Sequence, residues 1–155
     1  MNPLLYKYKN STIGYYRFGT GPKPVVCFHG FGEDASLFVF LNKYAGNQFT
    51  FYSIDLPFHG QTEWKGGLTF DIADLRQIVE EILDQNSLRL QPLNGKPTLL
   101  GFSLGGRMAL SLYEAIPEKI EKLILLAPDG LKVNFWYWLA TQTWLGNKFF
   151  ALTMK

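Results

Sequence analysis

Apolar residues fall along this chain in two alternating patterns, short unbroken runs and stretches that repeat at helical spacing. Residues 4–8 and 13–18 are tyrosine-rich and are parted by Lys9-Asn10-Ser11, which predicts a hairpin of two antiparallel strands. After Gly19-Thr20-Gly21-Pro22, the run Pro24-Val25-Val26-Cys27-Phe28 has the unbroken apolar character of a strand buried on both faces of a parallel sheet. It leads into His29-Gly30-Phe31-Gly32. Leu37, Phe38, Leu41, Tyr44 and Ala45 then recur at helical spacing, and a second apolar strand over residues 49–54 leads into Asp55-Leu56-Pro57-Phe58-His59-Gly60. Strand, helix and strand in this order make a βαβ unit.

The longest helical stripe lies at residues 70–88, where Ile72, Leu75, Val79, Ile82 and Leu83 share one side. Asp71 and Asp74 suit the positive N-terminal end of such a helix. Residues 97–100 predict a further short strand and residues 104–116 a helix, which Pro117 ends because proline disfavours helical geometry in the residue before it. Residues 122–127 read as one more strand, after which Pro128-Asp129-Gly130 turns the chain. The alternation predicts an α/β fold, a mostly parallel sheet with helices on both faces and an N-terminal antiparallel hairpin. The sequence shows no internal repeat, low-complexity tract or interdomain linker.

Composition narrows the picture. At 155 residues and 47% apolar content, the chain has the size for one domain with a buried core. Lys and Arg outnumber Asp and Glu by only 15 to 13 and are scattered, so no basic stripe follows a phosphate backbone and nucleic acid is not an expected partner. Residues 1–19 lack the basic, apolar, small-residue order of a signal peptide, and the lone Cys27 can form no internal disulfide. A cytoplasmic setting is the expectation. The most apolar stretch, residues 133–154, is broken by Asn134, Gln142, Asn147 and Lys148, short of the ~20 consecutive apolar residues of a membrane span.

Candidate chemistry gathers at Gly101-Phe102-Ser103-Leu104-Gly105. This is a G-x-S-x-G pattern, in which serine occupies a sharp strand-to-helix turn and the flanking glycines let strand and helix approach. At average composition the bare pattern arises by chance in a chain of this length roughly 5% of the time. Its weight therefore comes from position: an apolar strand precedes it, a helix follows, and two βα crossings come before. The plainer alternative is a serine that only caps a helix. Together with His29-Gly30-Phe31-Gly32 after the third strand and Asp55-Leu56-Pro57-Phe58-His59-Gly60 after the fourth, the turn completes three landmarks in order. On these the chain resembles the α/β-hydrolase superfamily over residues 13–130, and in particular its lid-bearing branch of esterases, thioesterases, peptidases and carbon–carbon-bond hydrolases.

The resemblance implies that Ser103 is a nucleophile that attacks a carbonyl, and that the backbone N–H groups of Phe31 and Leu104 form an oxyanion hole. It also implies an acid and a histidine later in the chain. The sequence holds only His29 and His59, both before Ser103, and neither is expected to serve as the base. His29 is expected instead to hold the oxyanion loop by hydrogen bonds. Asp129 is a candidate acid, because a minority of the family place it after this strand, although Asp before Gly is ordinarily a turn former. On the same resemblance the chain is expected to be truncated. Residues 1–130 would be the N-terminal part of the core, residues 131–155 the start of a helical cap rich in Phe and Trp, and the rest of the triad would lie past Lys155. Phe58 stands where many relatives carry glycine, and serine at the turn argues against the haloalkane and epoxide branch. Cys27 reads as packing within a core strand.

The expected function is a serine hydrolase that cleaves a small, partly apolar ester, thioester or amide through an acyl-enzyme on Ser103, with this chain alone inactive. No metal or organic cofactor is expected, and the expected partner is a small-molecule substrate. Two alternatives stay open, a carbon–carbon hydrolase or lyase on the same fold and a non-catalytic binding module. The unpaired edge at residues 122–127, together with residues 131–155, is expected to invite self-association.

Overall fold

The computed structural model describes residues 1–89 and 94–129. The expected cap over residues 131–155 lies outside them. Among the described residues six strands form one sheet in the order β1-β2-β4-β3-β5-β6, with β1 at Leu4–Tyr8, β2 at Ser11–Phe18, β3 at Lys23–Phe28, β4 at Phe49–Ile54, β5 at Thr98–Phe102 and β6 at Lys122–Leu126. β1 and β2 are the expected antiparallel hairpin, with Tyr8 opposite Ser11 and Lys9 taking the left-handed backbone (φ 50°) that so short a connection needs. β2 pairs antiparallel with β4, whereas β4, β3, β5 and β6 run parallel. From β3 the chain crosses to β4 on one side, then returns to lay β5 on the other, so the carboxyl ends of β3 and β5 flank a point where the winding reverses. Open α/β sheets place their ligand sites in such crevices.

Side chains alternate across the sheet as the strand period demands. Val26 and Phe28 enter a core shared with Leu75, Ile78, Val79 and Ile82 of α2 (Ile72–Arg89) and with Ala109 and Leu112 of α3 (Leu104–Ala115). Val25 and Cys27 face the other way, against Phe18, Phe38, Phe51 and Leu100. Cys27 is fully buried, as its place in an apolar strand predicts, and burial pushes its thiol well above the ordinary range.

Four stretches depart from the pattern expected of the sequence. The helical spacing over residues 37–45 is divided between a 3-10 turn at Ala35–Phe38 and a short helix, α1, at Leu41–Ala45. The division has a cause: Asp34 caps the turn through Ser36 N–H (2.7 Å), and Ala35 is fastened to β4 by Ser53 Oγ (2.6 Å) and by Asp55, so the chain bends before it can wind. Leu37, Phe38, Leu41 and Ala45 still meet one core because both windings turn them to the same face. α2 starts two residues later than residue 70, because Asp71 caps it by accepting from Asp74 N–H at 2.9 Å. Its stripe is rotated toward Ile78, which is buried, and away from Ile72, which is 37% exposed. β5 runs on to Phe102, and β6 stops at Leu126 because Ala127 takes a left-handed backbone (φ 42°).

Candidate active site

Ser103 sits between the last residue of β5 and the first of α3 with φ 50° and ψ −116°, a conformation that an L residue adopts only when its surroundings enforce it. The enforcement is visible on both sides of the turn. Ser103 N–H donates to Leu126 O at 3.0 Å, and Ser103 O accepts from Gly106 N–H at 2.9 Å and Asp129 N–H at 3.1 Å. Glycine is obligatory around it for a steric reason. A Cβ on Gly101 would run into Gly105 and Gly106, a Cβ on Gly105 would run into the carbonyls of Phe28 and His29, and one on Gly106 would lie 2.8 Å from Pro128 Cβ. The sequence expectation for these glycines, that strand and helix approach too closely for side chains, is the observed geometry.

The contact between Gly105 and the end of β3 brings the loop after β3 to the same place. Gly30 carries it, since a Cβ there would touch the Phe102 ring at 3.1 Å. His29 is fully buried and holds the loop as expected: its Nδ1–H donates to Gly30 O at 2.8 Å, and Nε2 accepts from Leu56 N–H at 3.0 Å. Burial, with His59 nearby, pushes its pKa below the ordinary imidazole value. Glu33 closes the turn by accepting from Gly30 N–H at 3.2 Å. The N–H groups of Phe31 and Leu104 have no hydrogen-bond acceptor among the described residues. Both lie at this crevice, and that of Leu104 belongs to the positive first turn of α3.

The loop after β4 completes the rim. Asp55, buried, spends one carboxylate oxygen on Ala35 N–H at 2.6 Å and the other on Gln61 N–H at 2.8 Å, tying two loops together. Its carboxylate fills the space where a Cβ on Gly60 would stand. In the sequence Asp55 stands out only as part of a motif. The signal for its role was an acid at the end of an apolar strand, where a carboxylate survives burial only if loops supply donors. His59 is half-buried; its Nδ1–H donates to Pro57 O at 2.8 Å and its Nε2 accepts from Gly32 N–H at 3.3 Å. Phe58 takes φ 67° and is 65% exposed. Asp129 is exposed and reaches the site through its backbone bond to Ser103.

A groove of about 540 Å³ lies at the opposite end of the strands, where Lys23, Phe49, Thr98 and Lys122 begin them, and contains none of the candidate residues. The strained serine, the paired glycines and the two N–H groups without an acceptor among the described residues all lie at the carboxyl ends instead. Among the described residues there is no cluster of His, Cys, Asp or Glu that could hold a metal ion, and no helix long and apolar enough to cross a membrane.

Residues 23–152 match the family model of the alpha/beta hydrolase fold, and the chain belongs to that family. Among curated proteins it is 30% identical over 113 residues to the dihydrolipoyllysine-residue acetyltransferase component of an acetoin cleaving system from Pseudomonas putida, covering 73% of this chain and 29% of that protein. It is 27% identical over 145 residues to a pimeloyl-[acyl-carrier protein] methyl ester esterase from Nitrosospira multiformis, covering 88% of this chain and 53% of the esterase. The chain thus spans about half, or less, of the length of these relatives. A solved hydrolase structure from Pseudomonas aeruginosa superposes with a TM-score of 0.71 at 21% identity, over 99% of this chain and 54% of that one. That likeness shows the fold.

Proposed function

We propose that this chain carries the nucleophile and the oxyanion donors of a serine hydrolase acting on a small, partly apolar ester, thioester or amide. Ser103 Oγ attacks the carbonyl, and the N–H groups of Phe31 and Leu104 receive the charge that develops on oxygen. Where water is excluded from the site, donors fixed in advance contribute about 3–4 kcal/mol each to the transition state. One observation carries the reading: the backbone of Ser103 is held at φ 50° on a strand-to-helix turn that its glycines and three backbone bonds keep sharp. A helix cap alone explains none of this, since the Ser103 side chain makes no capping bond.

A serine hydroxyl needs a base, and the chain's two histidines are bonded through both ring nitrogens into loops. In this proposal the base comes from polypeptide outside these 155 residues, with Asp129 as a candidate acid and residues 131–155 as part of a cap. A cytoplasmic, reducing setting fits the free, buried Cys27. The same commitment of both histidines favours a second reading, a binding module that keeps the scaffold without the chemistry.

Intact mass after exposure to a fluorophosphonate, with peptide mapping, separates them. The 155-residue chain stays unmodified, whereas a longer protein that supplies a histidine becomes labelled at Ser103. A longer protein with that histidine and no label at Ser103 would sink the hydrolase reading and leave the module.

A further inference from the structure

The segment that carries Phe31 is held from beneath by His29 and at its tip by His59, and the two histidines differ in what acid can do to them. His29 is sealed in the core with both nitrogens bonded. His59 is half-buried at the rim, with its ring 5.1 Å from that of His29 and edge-on to the Phe31 ring at 5.6 Å. Phe31 is 82% exposed, so packing does little to fix this segment. Gly32, at φ 76°, has open space where a Cβ would be. Its one tether among the described residues is its N–H, which donates to His59 Nε2 at 3.3 Å.

That bond requires a neutral imidazole. Nδ1 already carries a proton, because it faces the Pro57 carbonyl at 2.8 Å, so Nε2 is the acceptor. A proton added at Nε2 turns the acceptor into a donor aimed at another donor. We propose that His59 is a pH-dependent positioning residue, which fixes the Phe31–Gly32 peptide while neutral and releases it when protonated. The titratable side chains around this loop cluster are His29, Glu33, Asp34 and Asp55. Asp34 is held ionised by its bond to Ser36, and burial disfavours the charged form of His29. The catalytic consequence rests on the reading of Phe31 as an oxyanion donor; the tether itself does not.

The test is nuclear magnetic resonance of the ¹⁵N-labelled chain between about pH 8 and pH 5, the span in which histidine titrates. It follows the amides of Phe31 and Gly32 beside the His59 ring proton. The Gly32 amide is expected to shift on the same curve as the ring, and its pH-corrected exchange with solvent to rise at least about tenfold across it. In H59Q the side-chain carbonyl accepts without titrating, so protection stays and its pH dependence disappears. In H59F protection is lost at every pH. A Gly32 amide indifferent to the His59 titration, or one still protected in a folded H59F, overturns the proposal. The wild-type titration decides the matter even if H59F fails to fold. No step reads chemistry at Ser103, so failure of the hydrolase reading leaves this result standing.

Discussion

At the scale of single residues, Ser103 and Phe58 share a left-handed backbone and differ in what holds it. Ser103 is bonded on both sides of its peptide plane, whereas Phe58 is exposed and sits where the resemblance places glycine. A non-glycine residue in this region costs roughly 1–2 kcal/mol, against roughly 0.5–1 kcal/mol for the extra freedom glycine brings to the unfolded chain. Phe58→Gly is therefore expected to stabilise the fold by up to about 1 kcal/mol, a rise in Tm of up to about 4 °C in a chain of this size. A clear fall in Tm would mean that the exposed ring packs more than its accessibility indicates. The serine turn was legible because glycine on both sides marks a place where strand and helix come into contact. The His59 tether was not, because its partner is 27 residues away and nothing local marks the pair.

At the scale of elements, the period of the apolar residues sufficed for β4 to the residue and for β3 and α3 to within one. It failed where a polar side chain far along the sequence decides the winding, as Ser53 and Asp55 do by pinning Ala35. β6 shows both the reach of apolar patterning and its limit. Its apolar run predicted a strand, and the expected truncation predicted an unpaired edge, which is where β6 lies among the described strands, yet the run hides which residues are covered. Leu123 and Leu125 pack on the α2–α3 core, while Ile124 and Leu126 on the other face stay 43% and 46% exposed. We propose self-association through this edge and face, as the sequence led us to expect. Ile124→Lys should leave stability within about 0.5 kcal/mol, as for other exposed sites, and shift sedimentation toward the monomer. Unchanged association of this variant would place the contact elsewhere.

At the scale of the whole molecule, the pH dependence of stability follows from groups whose folded and unfolded pKa values differ. His29 is pushed below its ordinary 6.5 by burial, so just below that pH the unfolded chain binds a proton that the folded chain refuses. Stability therefore falls as pH drops through 6.5, ahead of the carboxylates. Asp34, bonded to Ser36, and Asp74, bonded to Lys9, lie below the carboxylate range and lose their contribution only at lower pH. Urea midpoints should thus decline between about pH 7 and about pH 5.5, and a flat profile there would show that His29 is not kept neutral by the fold. The fastening of Ser103 also orders events in time. β5 and α3 are specified by residues near the turn, but its angles are closed by Leu126, the last residue of β6, and by Asp129 just past it, at the outermost of the described strands. A growing chain that has made residues 101–105 but not residues 126–129 owns the motif without its shape. The serine's conformation is in that sense a report that assembly has reached the edge.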